Sequence, residues 1–460
     1  MEPLSIELRD RQLANRPQLP PPEGQHSASP HAEEIPESRQ QFSLPPVDHG
    51  KHAYFFLIAC FFIEALTWGF PFAFGVFQDY YSTHEPFAGS PSVPIIGTCA
   101  MGIMYLDIPL VMGLQRLYPR LARWSPVIGL LVMCTSLAAS SFAQTTTHLI
   151  ASQGVLYALG GSISYCPCIL FMDQWFVKRK GLAYGIMWSG TGLAGFALPL
   201  LLEYFLGHWG FRTTLRIWAL SLLLLTMPLA YFIKPRLPPT ATMHIKPFNL
   251  DFAVRRTFVL HQLANITEAL GFFLPGIYLP TYARAIGAGS FSSALTILLV
   301  NVAAVFGCAA MGLLTDHFHV TTCLLISALG AAVGTFLIWG FATKLSVLFL
   351  FCVVYGLFAG SYTSAWTGIM RQISSEPLRA RRNSAGGTFD PTMVIGVLST
   401  GRGIGSVASG PLSQLLIKGM PWQGKALGAY GTGFGPLIAF TGATAAMSGV
   451  VFLWRRIGWM

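Results

Sequence analysis

Glu64-Ala65-Leu66-Thr67-Trp68-Gly69-Phe70-Pro71 sits inside one apolar run, and Glu268-Ala269-Leu270-Gly271-Phe272-Phe273-Leu274-Pro275 sits inside another. Both read E-A-L-x4-P, at an offset of 204 residues. Two more matches keep the same order. Gly185, Gly190 and Gly192 correspond to Gly396, Gly401 and Gly403 at an offset of 211, and Met112-Gly113-Leu114 corresponds to Met311-Gly312-Leu313 at 199. Each match is weak alone, since Gly and Pro are common in this chain. Together they indicate one six-run template used twice.

Working outward from these stretches, runs long enough to cross a bilayer cover 54–78, 93–114, 124–143, 148–172, 181–206 and 215–233 in the first half. In the second half they cover 257–280, 291–314, 320–341, 345–370, 393–418 and 430–454. Each meets the roughly 17–25 residues a spanning helix needs. Composition agrees: of 460 residues 53% are hydrophobic and 10% charged, with mean hydropathy +0.54. A soluble domain carries about 25% charged residues. Lipid is therefore the solvent for much of the chain. The expected fold class is all-α polytopic, twelve transmembrane helices in two six-helix pseudo-repeat bundles. Parallel halves of this kind place a site near the bilayer midplane, between the bundles.

The domain reading is a disordered cytoplasmic tail over 1–52, a first bundle over 53–233, and a cytoplasmic linker over 234–256. A second bundle covers 257–454 and a short C-terminus covers 455–460. The tail is rich in Pro, Glu, Gln and Ser and cannot bury enough surface to offset its ordering entropy. The basic residues set the orientation. Arg116, Arg120 and Arg123, then Lys178, Arg179 and Lys180, then Arg255 and Arg256, then Arg371, Arg379, Arg381 and Arg382 fall on alternate loops, while the loops between are nearly bare. The positive-inside rule then puts both termini in the cytoplasm.

Several function classes drop out. The formal charge of +10 does not form a basic face, so nucleic acid is not an expected partner. No G-x-x-x-x-G-K-[ST] sequence is present, which argues against ATP as the driving force. Neither a metal-ligand cluster nor a G-x-S-x-G nucleophile motif is present, so an enzyme reading has no support and no cofactor is expected. The eight cysteines lie mostly inside apolar runs, as in Cys166-Pro167-Cys168, and read as buried and reduced.

Trp68-Gly69-Phe70-Pro71-Phe72-Ala73-Phe74-Gly75-Val76-Phe77-Gln78 resembles the W-G-x3-S-F-G-V-F-Q of the fungal branch of the monocarboxylate transporter-like family of the major facilitator superfamily. Trp175-Phe176-Val177-Lys178-Arg179-Lys180-Gly181-Leu182-Ala183-Tyr184-Gly185 is similar to its W/Y-F-x-K-R-R-x-L-A-x-G. Gly271 to Pro280 resembles its G-F-F-x-P-x-x-Y-L, and Arg402-Gly403-Ile404-Gly405 before Gly410-Pro411 its R-G-I-G…G-P. Gly312-x3-Asp316 keeps part of the superfamily's loop signature. The resemblance covers 54–454 and implies a transporter of small organic anions or metabolites in a fungal plasma membrane. Three departures stand out. The D-G-G-x-G-W lead-in is reduced to Asp48-His49-Gly50-Lys51-His52. Leu117 replaces an acid of the first loop signature. Cys308 stands where relatives carry the Arg that holds a carboxylate.

An ionised side chain at the bilayer centre costs about 2.5–3.5 kcal/mol on insertion scales, so intramembrane charges are the first candidates. Glu64 and Glu268 lie roughly 15 Å into their helices at matching repeat positions, where they either face one another across the cavity and carry a proton or merely pack. Arg402 has a rigid five-donor fork and binds an anionic substrate, snorkels, or pairs with Glu268 as a strut. Asp107, beside Pro109, either functions or satisfies backbone groups at a kink. Asn265 and Asn301 are polar cavity residues or interhelical hydrogen-bond formers. Trp68 and Trp188 stack on a ring-bearing substrate or pack. Lys178, Arg179, Lys180, Gly312 and Asp316 form the loop elements that set the inward-facing equilibrium. The leading expectation is a proton-coupled or facilitative monocarboxylate-like carrier, acting as a monomer. The alternatives are an exporter of a larger fungal secondary metabolite and, from another class, a non-transporting sensor.

Overall fold

The structure is a computed structural model and describes residues 45–238, 248–375 and 389–460. Most of the expected tail, residues 239–247 of the linker, and Arg379, Arg381 and Arg382 lie outside the described residues.

Twelve helical columns follow one another, and no strand occurs among the described residues. They are α1 Lys51–Thr83, α2 Val93–Leu106 continued by Ile108–Leu117, α3 Pro119–Ser140, α4 Thr146–Trp175, α5 over 180–209 and α6 over 211–230. The second half has α7 Arg256–Ala285, α8 Ser290–His317, α9 Val320–Trp339, α10 Leu345–Ser375, α11 Thr392–Ile417 and α12 Gly435–Arg456. Their starts and stops fall within a few residues of the apolar runs. Among the described residues eight helices are long and apolar enough to cross a membrane, nine with the two parts of α2 taken as one span. The helix 180–230 counts there as one, and Gly210 divides it: its φ of 68° and ψ of 173° are not helical. The columns that fall short are α7 and α11, which hold Glu268 and Arg402. Their polarity belongs to the interior.

Proline and glycine shape the columns. Pro119 and Pro94 open helices at positions where the missing N–H is no loss. The two parts of α2 meet at 45° around Asp107, just ahead of Pro109. Across the halves, α8 packs on the 180–230 helix and α11 packs on α2. The first contact requires glycine: a Cβ at Gly312 would lie 2.4 Å from the carbonyl oxygen of Gly181.

One boundary is corrected. Residues 45–50, expected to belong to the tail, are bonded in place, and α1 starts at Lys51. The reason is Asp48, whose buried carboxylate accepts from the backbone N–H of Val177, Lys178 and Arg179 at 3.0–3.1 Å. Asp48 holds φ at 61°, a left-handed conformation that Asp tolerates better than most residues. Burial alone would raise its pKa, but these backbone donors, with the charge of His49, hold it below the ordinary carboxylate value.

Candidate functional site

A cavity of about 820 Å³, open mouth included, lies between the halves. Its walls come from α1, α2, α4 and α5 on one side and α7, α8, α10 and α11 on the other. Aromatic rings make up much of the lining: Trp68, Phe72, Tyr105, Tyr165, Trp188 and Trp366. They brace one another. Trp68 lies 4.5 Å from Tyr105 between centroids, Trp188 meets Trp366 edge-on at 5.8 Å, and the Trp188 Nε1 donates to Tyr165 Oη at 2.8 Å.

The two repeat glutamates are both buried but differently placed. Glu64 faces this cavity, and one of its carboxylate oxygens accepts from Thr191 Oγ1 at 3.0 Å. Its Oε2 has no hydrogen-bond partner among the described residues, nor does the Nε1 of Trp68 one turn on. Glu268 is instead held by Arg402, whose Nη1 lies 2.7 Å from Oε2. The guanidinium sits 4.0 Å over the ring of Phe272 and is only 2% exposed. Each glutamate thus has its own hydrogen-bond partner, and neither is bonded to the other among the described residues. Arg402 lines the cavity and is held in the ion pair with Glu268.

Other candidates are placed as follows. Asn301 lines the cavity and donates to the Gly195 carbonyl at 3.0 Å. Asn265 lies behind the wall, donating to Leu398 O at 2.7 Å and accepting from Trp366 Nε1 at 3.2 Å. Asp107 accepts from Ser162 Oγ at 2.6 Å inside the first half, at the bend of α2. Among the described residues no group of three or more His, Cys, Asp or Glu is placed to hold a metal ion.

Past the cavity, the halves are closed at the end that carries the α4–α5 and α8–α9 turns. Asp316 accepts from the backbone N–H of Gly181 and Leu182 at 2.8 and 2.9 Å, and from Arg371 at 2.9 Å. A carboxylate at the N-terminus of α5 also complements the helix dipole. Lys178 and Arg179 act here through their backbone, on Asp48, while Lys180 pairs with Asp173. Sequence reasoning missed the second bridge, between Arg116 and Asp390 just ahead of α11. Asp390 also accepts from the Thr392 N–H at 3.0 Å. The visible signal was the D-P-T start of α11, where an acid precedes a helix. The role of Asp48 was likewise missed, because it captures N–H groups that every residue has.

Comparison with known proteins agrees with this architecture. The sequence model of the Major Facilitator Superfamily matches residues 56–390. The MFS transporter asaE of Aspergillus flavus is 25% identical over 371 residues, covering 77% of this chain and 81% of its own. The Aspyridones efflux protein apdF of Emericella nidulans is 27% identical over 430 residues, covering 92% of this chain and 80% of its own. Among solved structures, a double-tryptophan mutant of XylE shares the fold with a TM-score of 0.61 at 14% identity, over 87% of this chain and 95% of that one.

Proposed function

This chain belongs to the Major Facilitator Superfamily, and on that premise we propose that it is a secondary active exporter of a bulky, ring-bearing fungal secondary metabolite. Membership makes it a multi-pass membrane transporter of a small-molecule substrate, not an enzyme. The observation that carries the export reading is the character of the cavity. It is walled by aromatic faces, and its buried cation is already neutralised by Glu268. A small monocarboxylate needs a free fixed cation and little apolar area; this site offers the reverse. Cys308 stands in the wall where an arginine would serve a carboxylate. The efflux named for the Emericella nidulans relative points the same way.

The proton is the coupling ion in this proposal, with Glu64 as its carrier. A carboxylate without a cation partner in lipid is costly to leave charged, so a proton or a positively charged group neutralises it at some point in the cycle. The protein works as a monomer in the plasma membrane, both termini in the cytoplasm, where the basic loops also lie.

The test is counterflow in proteoliposomes holding the full chain, with labelled lactate and a panel of labelled multi-ring metabolites, under an opposed proton gradient. Gradient-driven movement of a multi-ring compound, lost in Glu64→Gln, is the expected result. Lactate transport with no movement of the larger compounds would overturn the export reading and restore the monocarboxylate carrier.

A further inference from the structure

Proline costs a helix a hydrogen bond, because it has no N–H to give the carbonyl four residues back. In lipid that carbonyl has to find another donor. Among the described residues, five such carbonyls are served by a side chain. Ahead of Pro71, Tyr157 Oη donates to Thr67 O at 3.0 Å. Ahead of Pro126, Ser125 Oγ donates to Ala122 O at 2.8 Å. Ahead of Pro167, Gln115 Nε2 donates to Ile163 O at 3.0 Å. In all three the donor belongs to the same half as the proline.

The other two cross between halves. Pro199 frees the carbonyl of Gly195 on α5, and Asn301 on α8 donates to it at 3.0 Å. At the bend of α2, where Pro109 in the first turn of the second part leaves no N–H four residues on, the carbonyl of Tyr105 accepts from Ser399 Oγ on α11 at 3.0 Å. These are the two helix pairs along which the halves meet, and both donors line the cavity. The fit around each is close. A Cβ at Gly195 would lie 2.7 Å from the side-chain carbonyl carbon of Asn301, and one at Gly403 would lie 2.9 Å from the Cβ of Tyr105.

We propose that Asn301 and Ser399 are a matched pair of positioning residues that hold the halves in the conformation seen here, each by capturing a carbonyl that a proline on the opposite half has set free. Parting the halves removes a donor from both carbonyls at once, and no intrahelical N–H replaces it. The two are unequal. The single Ser399 O–H is shared with Gly396 O, 2.5 Å away on its own helix, so it keeps a partner when the halves separate, whereas the Asn301 amide N–H has no second acceptor among the described residues. Asn301 is the stronger latch. The proposal requires only that the transporter has a second conformation, and it is independent of the substrate.

The experiment is hydrogen–deuterium exchange on the purified full-length protein in nanodiscs, read at the amides of Gly181 and Leu182. Asp316 accepts from both while the halves meet at that end. One hydrogen bond of ordinary net worth shifts a two-state population by about threefold to tenfold. Asn301→Ala should speed exchange there by about fivefold and Ser399→Ala by about threefold. Tyr157→Phe, which removes a within-half donor, should leave those amides unchanged. The decisive arm restores the missing N–H. In a Pro199→Ala background, Asn301→Ala should change exchange less than about 1.5-fold, because the helix then serves its own carbonyl. If Asn301→Ala proves unstable, Asn301→Leu removes the same donor with similar bulk. Unchanged exchange in both Asn301 variants, or a full effect that persists in the Pro199→Ala background, would overturn the proposal. Neither result depends on finding the cargo.

Discussion

The middle of α1 and the middle of α7 carry the same E-A-L-x4-P stretch, yet the two glutamates live in different company. Glu268 has a guanidinium at 2.7 Å and Phe272 beneath that guanidinium; Glu64 has a threonine hydroxyl at 3.0 Å and no cation, and each acid keeps one oxygen without a hydrogen-bond partner among the described residues. Duplication supplied both acids, and the surrounding helices then assigned them different work. In the second half the acid and the arginine from α11 neutralise each other. In the first half the acid faces the cavity, where the wall cation Arg402 is bonded to Glu268 rather than to it. A charge that is already matched holds helices together; in the proposal above, the unmatched one is matched by a proton that moves.

Removing Arg402 tests the paired side and should have the largest effect. Arg402→Ala leaves Glu268 as a buried charge with no counterpart, at a cost of about 3–5 kcal/mol. Thermal unfolding in detergent would show it as a steep loss of melting temperature and of folded yield. The combined Arg402→Met, Glu268→Gln variant should recover most of that stability. A parent-like melting curve for Arg402→Ala would mean that the pair is not a strut.

The unpaired side predicts the opposite pattern. Glu64→Gln keeps an acceptor for Thr191 and should change stability by less than about 1 kcal/mol. Gradient-driven transport should nevertheless fall to background while downhill exchange of cargo continues. Stability loss comparable to that of Arg402→Ala would erase the distinction between the halves.

A smaller effect is expected on the aromatic wall. Trp188→Ala should raise KM for a multi-ring cargo by about tenfold, on the scale of one aromatic contact, and leave the proton dependence unaltered. The smallest concerns Asp48. Its pKa is depressed in the folded state, so its stabilisation is complete above the unfolded value of about 3.9 and is lost as pH falls through the folded one. Exchange at the amides of Val177, Lys178 and Arg179 should therefore stay slow from neutral pH down to about pH 4 once corrected for intrinsic rates, and accelerate only below that. Asp48→Asn should give fast exchange at every pH.

Much of this was legible in the residues. Long apolar runs located the columns because lipid leaves the backbone few alternatives, and the repeated stretches announced two halves. Depth along a helix identified Glu64, Glu268 and Arg402 as buried. It did not say which groups each would meet, and Thr191 and Arg402 as partners came only from the fold. Asp390 was overlooked because it follows a long polar stretch and reads as loop; only the fold brings Arg116, 274 positions earlier, against it. The column boundary at Gly210 was visible as a break between two runs, but not how short the break is.

That brevity has a mechanical consequence. The residues ahead of α5 and those after α6 meet at one end, where Trp175 donates to Lys234 O and Gln174 accepts from Arg236. The chain therefore doubles back through a single residue at the other end. A hairpin stitched at both ends has no slack for one arm to slide along the other. One arm grips α8 through Gly181, Gly195 and Asn301; the other grips α3 through Cys134 to Ala219 and Arg216 to Ser141. Any tilt of the second half is thus delivered as leverage to the far flank of the first, which makes α5 and α6 a rigid crank between the cavity and the lipid.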